Sequence, residues 1–466
     1  MAAVDVVIMA AGKGTRMKSR LPKVLHKLAG RPLIQHVIDT AQQLAARRVI
    51  VVTGNGADEV EAELARAASA TKAAVPTFVR QEPQLGTAHA VQQALPVLPD
   101  DGTALILNGD VPLVQADTLR GLVERCGERS LVLLTVDMTD PTGYGRIVRE
   151  GDAVRAIVEH KDASQAQRNI HEVYTGFMAA PNKLLKQWLA RVGNDNTQGE
   201  YYLTDIVKLA VQDGVDVLAV KTTDALQVDG VNSPRQLAQL ERAFQLRRAG
   251  ALMEQGVRIA DPARFDVRGE LACGQDVEID VNCIFEGRVS LGDGVSIGAN
   301  CIIANASIAA GAVIHPFTHI DGEKLGVRVG EGALIGPFAR LRPGADLGPE
   351  VHIGNFVEVK NATLARGAKA NHLAYLGDAT VGERVNYGAG SITANYDGAA
   401  KHRTVIEEDV HIGSNSVLVA PVTIGRGGTV GASSTITKDT PPETLNIARG
   451  KQVSIANWQR PKKAPK

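Results

Sequence analysis

The sequence predicts a mostly parallel α/β sheet domain followed by an all-β domain that forms a parallel β-helix. Two patterns support this prediction. In the first half, short apolar runs alternate with helical stretches, which is typical of strands buried between two layers of helices. In the last two-fifths of the chain, an aliphatic residue returns at every sixth position, as it does without a miss from Ile406 to Ile436. This period is not that of an amphipathic helix.

The apolar runs of the first half are short enough to be buried strands. The predicted strands are Val4 to Met9, Val49 to Val52, Ala104 to Leu107 and Leu131 to Val136, and the clearest helices are Leu33 to Ala46 and Ala57 to Ala68. Alternation of this kind indicates a parallel sheet with helices on both faces. Ligands of such sheets bind beyond the carboxyl ends of the strands, so the predicted site lies there.

The six-residue period of the second half recurs in two earlier stretches, Ile279 to Ile303 and Val329 to Val359. A small or branched residue stands two positions before each large aliphatic residue, and glycine often follows it. Residues two apart on a strand share a face, so each hexapeptide directs two side chains inward and then turns. Such hexapeptides stack as the coils of a parallel β-helix, in which neighbouring coils cover one another's strand edges.

Between the two patterns, Ser233-Pro234-Arg235-Gln236 reads as the start of a helix, with a capping Ser, Pro in the first turn and Gln three residues on. The predicted organisation is therefore a sheet domain over 1–232, a linker helix over 233–256, a β-helix over 257–454 and a C-terminal tail over 455–466. The tail ends in a run of Pro and Lys, which we expect to be solvated.

Bulk composition excludes several classes of function. The 466 residues hold 51 Lys plus Arg and 51 Asp plus Glu, so no general attraction to nucleic acid or anionic membrane is expected. No basic leader precedes the first apolar run, and no stretch approaches the roughly 20 apolar residues of a membrane span. The four cysteines form no CxxC pair, and we interpret Cys283 and Cys301 as inward-facing fillers in a reducing compartment. A cytoplasmic enzyme is the expectation.

The first chemical motif follows the first strand directly. Val4 to Met9 runs into Ala10-Ala11-Gly12-Lys13-Gly14-Thr15-Arg16-Met17, and Leu21-Pro22-Lys23 comes soon after. Small residues let backbone amides approach a polyphosphate, and the basic side chains can neutralise it. The spacing fits neither a dinucleotide fingerprint nor a Walker A loop. The whole string resembles that of the sugar-nucleotide pyrophosphorylases, which join a nucleoside triphosphate to a sugar 1-phosphate.

Two further segments agree with this resemblance. The segment from Gln81 to Ala88 offers amide side chains and open backbone to a nucleobase edge. The strand Ala104 to Leu107 ends in Asn108-Gly109-Asp110, which places a carboxylate at the edge of the sheet. Carboxylate oxygen is a ligand that Mg²⁺ prefers. Phosphoryl transfer of this kind needs alignment, charge neutralisation and a metal ion, but no general base.

The six-residue ladder breaks twice, and polar residues concentrate at both breaks. Val359 and Val381 are 22 residues apart, which predicts that Arg366 to Gly377 loops out of the coil, with His372 inside the loop. Tyr387 and Ile406 are 19 residues apart, which predicts one extra residue near Asn395 and Tyr396. Breaks in a solenoid often form its binding surface. Imidazole titrates near neutral pH, so His372 is the candidate base for taking a proton from an amine.

The segments Gly336 to Gly344 and Gly354 to Lys360 resemble those of the trimeric hexapeptide acyltransferases. Over nearly the whole chain, the order of the halves and their motifs resemble the family of bacterial bifunctional enzymes that make UDP-N-acetylglucosamine. The resemblance implies a Rossmann-like nucleotidyltransferase domain and a left-handed β-helix that forms a homotrimer. It implies that glucosamine 1-phosphate is acetylated by acetyl-coenzyme A, and that the N-acetylglucosamine 1-phosphate then receives UMP from UTP with Mg²⁺.

The same resemblance assigns residues to each site. Nucleotide binding falls to Ala10, Ala11, Gly12, Lys23, Gln81, Gly86, Thr87, Asn108, Gly109 and Asp110. The sugar phosphate of the uridylyl site falls to Gly145, Glu159, Tyr174 and Asn232, and the metal to Asp110 and Asn232. In the acetyl site, His372 is the base, and the sugar phosphate falls to Arg342, Lys360, Tyr375 and Asn386. Acetyl-coenzyme A falls to Ala389, Asn395, Tyr396, Ser414, Ala432 and Arg449.

Three positions depart from the family pattern. Tyr174 stands where the family often has Asn, Asn108 stands where some members have Tyr, and Ala394 stands where some have Cys. The main alternative function is that of a monofunctional sugar-nucleotide pyrophosphorylase whose β-helix only assembles subunits. A non-catalytic trimeric scaffold is a second alternative, which the phosphate loop and Asp110 disfavour.

Overall fold

The computed structural model describes residues 3–461, so the end of the predicted tail, 462–466, lies outside the described residues. The chain divides between Phe244 and Gln245 into two compact units. Within residues 3–461, no helix combines the length and the apolar composition that crossing a bilayer requires.

The first unit is built on a twisted sheet that contains all four predicted strands. In spatial order its strands are Asp216–Thr222, Ser130–Asp137, Glu172–Pro181, Thr103–Asn108, Val4–Met9, Arg48–Thr53 and Thr77–Arg80. Neighbours run parallel except at Glu172–Pro181, which is antiparallel to both strands beside it. An antiparallel pair, Arg146–Glu150 and Ala153–Val158, branches from this strand, and a small ribbon joins Lys27–Leu28 to Arg31–Pro32.

Helices cover both faces of this sheet, as the apolar strands predict. The helices are Leu33–Gln42, Ala57–Thr71, Thr87–Gln92, Ala116–Arg125, Gln165–Arg168, Asn182–Leu189, Ile206–Gln212 and Pro234–Glu254. Successive residues of the first strand enter opposite apolar layers: Val7 belongs to one buried cluster, and Val6 and Ile8 belong to the other. A strand buried on both sides carries apolar residues on both of its faces, which is why Val6, Val7 and Ile8 follow one another without alternation.

The parallel strands bring distant segments to one edge of the sheet. Val4–Met9 pairs in parallel with Arg48–Thr53 and with Thr103–Asn108, and Thr77–Arg80 extends the same run. The segments that follow these strands therefore lie side by side. They include the glycine-rich loop after Met9, Gln81 and Asp110.

The helix Pro234–Glu254 occupies the range in which a linker helix is predicted, 233–256. Its start is capped as expected, because the backbone N–H of Gln236 donates to the hydroxyl of Ser233 at 3.3 Å. Leu240 joins an apolar cluster of the first unit, and Leu252 joins the core of the second.

The second unit is a parallel β-helix whose coils are built from very short strands. One face holds Arg258–Ile259, Glu278–Ile279, Ser296–Ile297, Val313–Ile314, Leu334–Ile335, His352–Asn355, Lys369–His372, Asn386–Tyr387, His411–Ile412, Thr429–Val430 and Leu445–Asn446. Three long strands, Phe265–Cys273, Cys283–Leu291 and Ile302–Ile308, run along the other two faces at the start of the unit. One of these faces continues with His319–Asp321, Arg340–Leu341, Glu358–Lys360, Tyr375–Gly377, Ile392–Ala394, Val417–Val419 and Thr435–Ile436. The other continues with Val327–Val329, Asp346–Leu347, Thr363–Leu364, Ala379–Val381, Thr404–Ile406 and Val422–Ile424.

The predicted six-residue ladder forms the core of this unit. Ile335, Leu341, Leu347 and Ile353 are each at most 2% exposed, and one coil later their partners are buried as well. The inward side chains of successive coils thus stack on one another, and the backbone of each coil pairs with the next.

The structure corrects the first predicted break. Val359 pairs with Leu376, Leu364 pairs with Val381 and Asn355 with His372, so this coil is 17 residues long and 366–377 does not loop out. His372 instead ends a regular strand, Lys369–His372. The prediction was wrong because Val359 and Val381 lie on different faces. The turn between Val359 and Leu364 is one residue shorter than the regular turn. Counting by sixes from Val359 therefore no longer falls on the inward-facing residues.

The second break is real, but it is larger than predicted. Val381 pairs with Ile406 and Arg384 with Asp409, a spacing of 25 residues. The regular coil has 18 residues, as between Arg328 and Asp346, so the excursion adds seven residues and not one. The added residues form a small hairpin around an antiparallel bridge between Tyr396 and Lys401.

A further excursion, at 321–326, was not predicted. It lies in the coil that leads from Ile308 to its partner Val329, which is three residues longer than the regular coil.

Candidate active sites

A cavity of about 480 Å³ opens at the carboxyl edge of the sheet in the first unit. It is lined by Met9, Ala10, Ala11, Gly12, Lys13, Lys23, Val24, Gln81, Gln84, Gly86, Thr87, Ala90, Asn108, Asp110 and Glu200. All the predicted nucleotide-binding residues except Gly109 therefore share one cavity. Gly109 lies behind it, where its N–H donates to the carbonyl of Met9 at 2.9 Å and ties two strand ends together.

Charged groups meet at one end of this cavity. The Lys23 ammonium is paired with the Asp110 carboxylate and also donates to the Asn232 side-chain oxygen at 3.2 Å. The Arg16 guanidinium donates to the same oxygen at 2.8 Å. The N–H of Val231 donates to the carbonyl of Asp110, which holds the segment carrying Asn232 against the strand end.

The donor set at this end suits a hard divalent cation. Asp110 and Asn232 are distant in sequence, but each directs a side-chain oxygen at the Lys23 ammonium. Among residues 3–461, no cluster of three or more His, Cys, Asp or Glu has the geometry of a metal site. A divalent cation would take these two oxygens as ligands, and Mg²⁺ commonly keeps phosphate and water in the rest of its shell.

At the other end, a buried amide faces the backbone of a glycine turn. The Gln81 side chain is 3% exposed, and its amide N–H donates to the carbonyl of Gly86 at 2.9 Å. That bond leaves the side-chain carbonyl oxygen of Gln81 free to accept. Gly86 has φ +118°, and a Cβ there would lie 2.5 Å from the carbonyl oxygen of Tyr201, so only glycine fits this turn.

A second group holds three of the four predicted sugar residues of the first unit, Gly145, Glu159 and Tyr174, whereas Asn232 lies at the charged end of the cavity. The N–H of Tyr174 donates to the carbonyl of Gly145 at 2.9 Å, and the Glu159 carboxylate accepts from Thr204 at 3.0 Å. Burial raises the pKa of Glu159. Tyr174 is almost fully buried, and its hydroxyl has no hydrogen-bond partner among residues 3–461. Its contact with a sugar stays a prediction.

In the second unit, four of the predicted residues of the acetyl site follow one corner of the coil. The carbonyls of Asn355, His372, Ala389 and Ser414 each accept from the turn of the next coil, at 3.0, 3.2, 2.8 and 2.8 Å. Asn355, His372, Ala389, Ser414 and Ala432 therefore occupy equivalent positions on successive coils. Arg449 lies beyond them, where its guanidinium donates to the carbonyl of Ala432 at 2.7 Å.

His372 has a partner that was not among the predicted site residues. Its Nδ1 lies 2.8 Å from the side-chain oxygen of Asn355, with which it pairs in register. An amide oxygen only accepts, so Nδ1 carries the proton and Nε2 is left as the acceptor. Sequence alone could have predicted Asn355 as the partner of His372 only if the 17-residue length of this coil had been known.

Cationic side chains gather on the neighbouring face. The Arg342 guanidinium donates to the Glu358 carboxylate at 2.8 Å, and Tyr375 pairs in register with Glu358. Lys401, from the excursion, lowers the pKa of Lys360, and burial and Arg342 lower it further. Lys401 was not among the predicted site residues. Crowded ammonium and guanidinium groups of this kind are typical of a phosphate site.

The remaining predicted residues lie on the same stretch of coils. Asn386 stands on the strand beside Lys369–His372. Tyr396 lies on the excursion, is 62% exposed, and donates its hydroxyl to the carbonyl of Gly398 at 2.7 Å. The side-chain amide of Asn395 donates inward to the carboxylate of Asp378.

The chain matches known families in both units. Residues 6–173 match the model of the MobA-like NTP transferase domain, and residues 326–361 and 403–438 match the bacterial transferase hexapeptide (six repeats) model. The bifunctional protein GlmU of Polaromonas naphthalenivorans is 73% identical over 466 residues, covering 99% of this chain and 98% of that protein. The GlmU proteins of Paracidovorax citrulli and Azoarcus sp. are 72% and 57% identical, with at least 99% of each chain covered.

The chain belongs to the GlmU family. Identity of this level extends over both units, so the prediction of a bifunctional uridylyltransferase and acetyltransferase is confirmed, and the monofunctional alternative is not supported. The predicted fold is confirmed as well: a Rossmann-like nucleotidyltransferase unit is followed by a left-handed β-helix of hexapeptide repeats.

Proposed function

We propose that this chain makes UDP-N-acetylglucosamine in two steps, acetyl transfer on the β-helix followed by uridylyl transfer in the first unit. The observation that carries the proposal is the pairing of two different sites in one GlmU-family chain. One is a cavity beside a phosphate loop and Asp110. The other is a corner of stacked coils that begins at the Asn355–His372 pair.

For uridylyl transfer, the cavity supplies alignment and charge rather than a base. The free side-chain oxygen of Gln81 can accept from the imide N–H of uracil, and the backbone at Gly86 borders the base. The loop Ala10–Ala11–Gly12 and Lys23 then contact the phosphates. A phosphate oxygen of N-acetylglucosamine 1-phosphate attacks the α-phosphorus of UTP, the bond to the β-phosphate oxygen breaks, and pyrophosphate leaves. The nucleophile is already an anion, so no protein base is needed.

Asp110 and Asn232 are proposed to hold Mg²⁺, whose positive charge would offset that of the phosphates during transfer. For the cation to bind there, the Lys23 ammonium has to move from these two oxygens towards the phosphates. Gly145, Glu159 and Tyr174 are assigned to the sugar because they cluster together in the same unit. Glu159, whose pKa is raised by burial, is a strong hydrogen-bond acceptor when ionised.

For acetyl transfer, His372 acts as the base through its free Nε2. The amine of glucosamine 1-phosphate attacks the thioester carbon of acetyl-coenzyme A, its proton passes to His372, and the C–S bond breaks to release the thiolate. Arg342 and Lys360 bind the sugar phosphate, and Tyr375 and Asn386 hold the aminosugar. A backbone amide near Tyr396 stabilises the oxyanion. Ala389, Asn395, Ser414, Ala432 and Arg449 line the acetyl-coenzyme A groove.

A homotrimer is part of the proposal, and an exposed aromatic stripe on the β-helix supports it. Phe317, Phe338 and Phe356 stack on successive coils with ring centroids 4.9 and 5.4 Å apart, although each is about half exposed. Leu373, 63% exposed and next to His372, continues the stripe. A contiguous exposed apolar surface usually marks an interface. Because UTP and acetyl-coenzyme A are both cytoplasmic metabolites, a cytoplasmic location is also proposed.

The complete reaction can be tested with the intact chain. We expect UDP-N-acetylglucosamine to form, as measured by chromatography, only when glucosamine 1-phosphate, acetyl-coenzyme A, UTP and Mg²⁺ are all present. Without acetyl-coenzyme A, supplied N-acetylglucosamine 1-phosphate should restore the product. Formation of UDP-glucosamine from glucosamine 1-phosphate and UTP without acetyl-coenzyme A would contradict the order of the steps.

Replacing Asp110 should remove uridylyl transfer alone. Asp110→Asn removes the charged metal ligand at little change in size, and we expect its uridylyl kcat to fall by about a hundredfold or more, because electrostatic stabilisation is the main contribution here. Acetyl transfer should stay near wild type. Asp117→Asn, an exposed carboxylate on the helix that follows, is the matched control. Wild-type uridylyl transfer by Asp110→Asn would refute the metal assignment.

Replacing His372 should have the opposite effect. His372→Ala removes the base, and we expect acetyl transfer to fall by about 10²- to 10⁴-fold, the usual contribution of a general base. Uridylyl transfer should be unchanged. The exposed His319, on an earlier coil, provides the control variant His319→Ala. Normal acetyl transfer by His372→Ala would rule out its role as the base.

The aromatic stripe gives a test of assembly. Phe338→Glu places a charge in the middle of the stack, so we expect sedimentation to change from a trimer to a monomer. Acetyl transfer should be lost with it, because we take the acetyl-coenzyme A groove to lie between subunits of the trimer, while uridylyl transfer persists. Leu325→Glu, at a leucine 73% exposed on the same unit but outside the stripe, should remain trimeric. A trimeric Phe338→Glu protein would show that the stripe is not the interface.

A further inference from the structure

A buried carboxylate, Asp378, lies between the strand that ends at Lys360 and the excursion that carries Asn395. The residue is 7% exposed and is not part of the site residues assigned above. Its carboxylate accepts from the side-chain amide of Asn361 at 2.5 Å and from that of Asn395 through its other oxygen. A buried carboxylate needs partners of this kind, because an unpaired one is strongly disfavoured.

The backbone of Asp378 joins the same two regions. Its N–H donates to the carbonyl of Lys360 at 3.1 Å, and its carbonyl accepts from the N–H of Thr404 at 3.1 Å. Asn395 and Thr404 stand at the two ends of the excursion that carries Tyr396 and Lys401. One residue therefore bonds to both ends of the excursion and to the strand that ends at Lys360.

The chemistry of these contacts determines how Asn395 is oriented. An ionised carboxylate only accepts hydrogen bonds, so the amide of Asn395 must turn its NH₂ group inward. Its carbonyl oxygen then faces away from Asp378. An amide at position 378 would have one donor and one acceptor group, and Asn395 could then bond to it in either orientation.

We propose that Asp378 is a positioning residue of the acetyl site, which orients the Asn395 amide so that its oxygen faces the acetyl-coenzyme A groove. The inference rests on the proposed function, because it takes Asn395 to line that groove. Asp378 does not itself touch the substrate; it acts through Asn395.

Asp378→Asn tests this role. It also removes a negative charge that partly offsets the lowering of the Lys360 pKa, so the readout is the KM for acetyl-coenzyme A and not that for the sugar phosphate. Asp378 has φ +49°, a left-handed conformation that Asn also tolerates, so the substitution adds little backbone strain. The backbone bonds to Lys360 and Thr404 are kept, and so is the anchoring of the excursion. We expect the KM for acetyl-coenzyme A to rise about tenfold, as for the loss of a hydrogen bond to a charged group. The acetyl-transfer kcat, which depends on His372, should change less than about threefold.

An exchange of the two side chains tests the orientation directly. In Asp378→Asn/Asn395→Asp, the new amide donates to the new carboxylate, whose second oxygen again faces the groove. We expect this double variant to return the KM for acetyl-coenzyme A to within about threefold of wild type. Asn395→Asp alone places two carboxylates against each other, so it should bind acetyl-coenzyme A more weakly than Asp378→Asn or the double variant. Asp346→Asn, which removes only a surface ion pair with Arg328, is the matched control and should leave the KM unchanged.

The outcomes separate this inference from the proposed function. If wild type does not acetylate glucosamine 1-phosphate, the proposed function fails. If wild type does so and Asp378→Asn has an unchanged KM, or the double variant is no better than Asp378→Asn, the positioning role is overturned. Thermal unfolding and uridylyl transfer, measured on every variant, report on folding. If Asp378→Asn is unfolded, a folded double variant with wild-type KM supports the inference, and an unfolded one overturns it in favour of a purely structural role.

Discussion

Parallel pairing between successive coils is the constraint on which the acetyl site depends. Each coil satisfies the backbone N–H and C=O groups of the next, so the residue that meets a given side chain is the one a coil later. This pairing brings His372 against Asn355, and it lines up Ala389, Ser414 and Ala432 along the same corner. When one coil is shorter or longer than the others, the sequence spacing between equivalent residues changes, but these residues still stack on one another from coil to coil.

The first unit obeys the same logic in a different geometry. Its parallel strands all end at one edge, so a loop, an amide and a carboxylate from separate parts of the chain form one cavity. The apolar strands supply the rigid base, since both faces are buried under helices. The polar groups of the cavity lie at the strand ends and in the loops beyond them, where phosphates and a cation could reach them.

The two sites use their irregular segments differently. In the first unit, the glycine turn at Gly86 directs a backbone carbonyl at the Gln81 amide, and its conformation excludes a side chain. In the β-helix, a seven-residue excursion brings Lys401 beside Lys360, and Asp378 holds both ends of that excursion. In the β-helix, regular strands therefore position His372 and Lys360, and the excursion adds Asn395 and Lys401 beside them.

By itself, the sequence determined the two folds and nine of the fifteen residues that line the proposed nucleotide cavity. Apolar runs and a six-residue period are local signals, and the loop after Met9 is contiguous, so neither needs knowledge of distant contacts. Only the tertiary structure decided which coils are shorter or longer than the regular one, and with them the pairs Asn355–His372 and Asp378–Asn395. Counting by sixes predicted a first break that the structure lacks and underestimated the second, because a residue lost or gained in a turn changes the phase of the sequence without changing which strands pair.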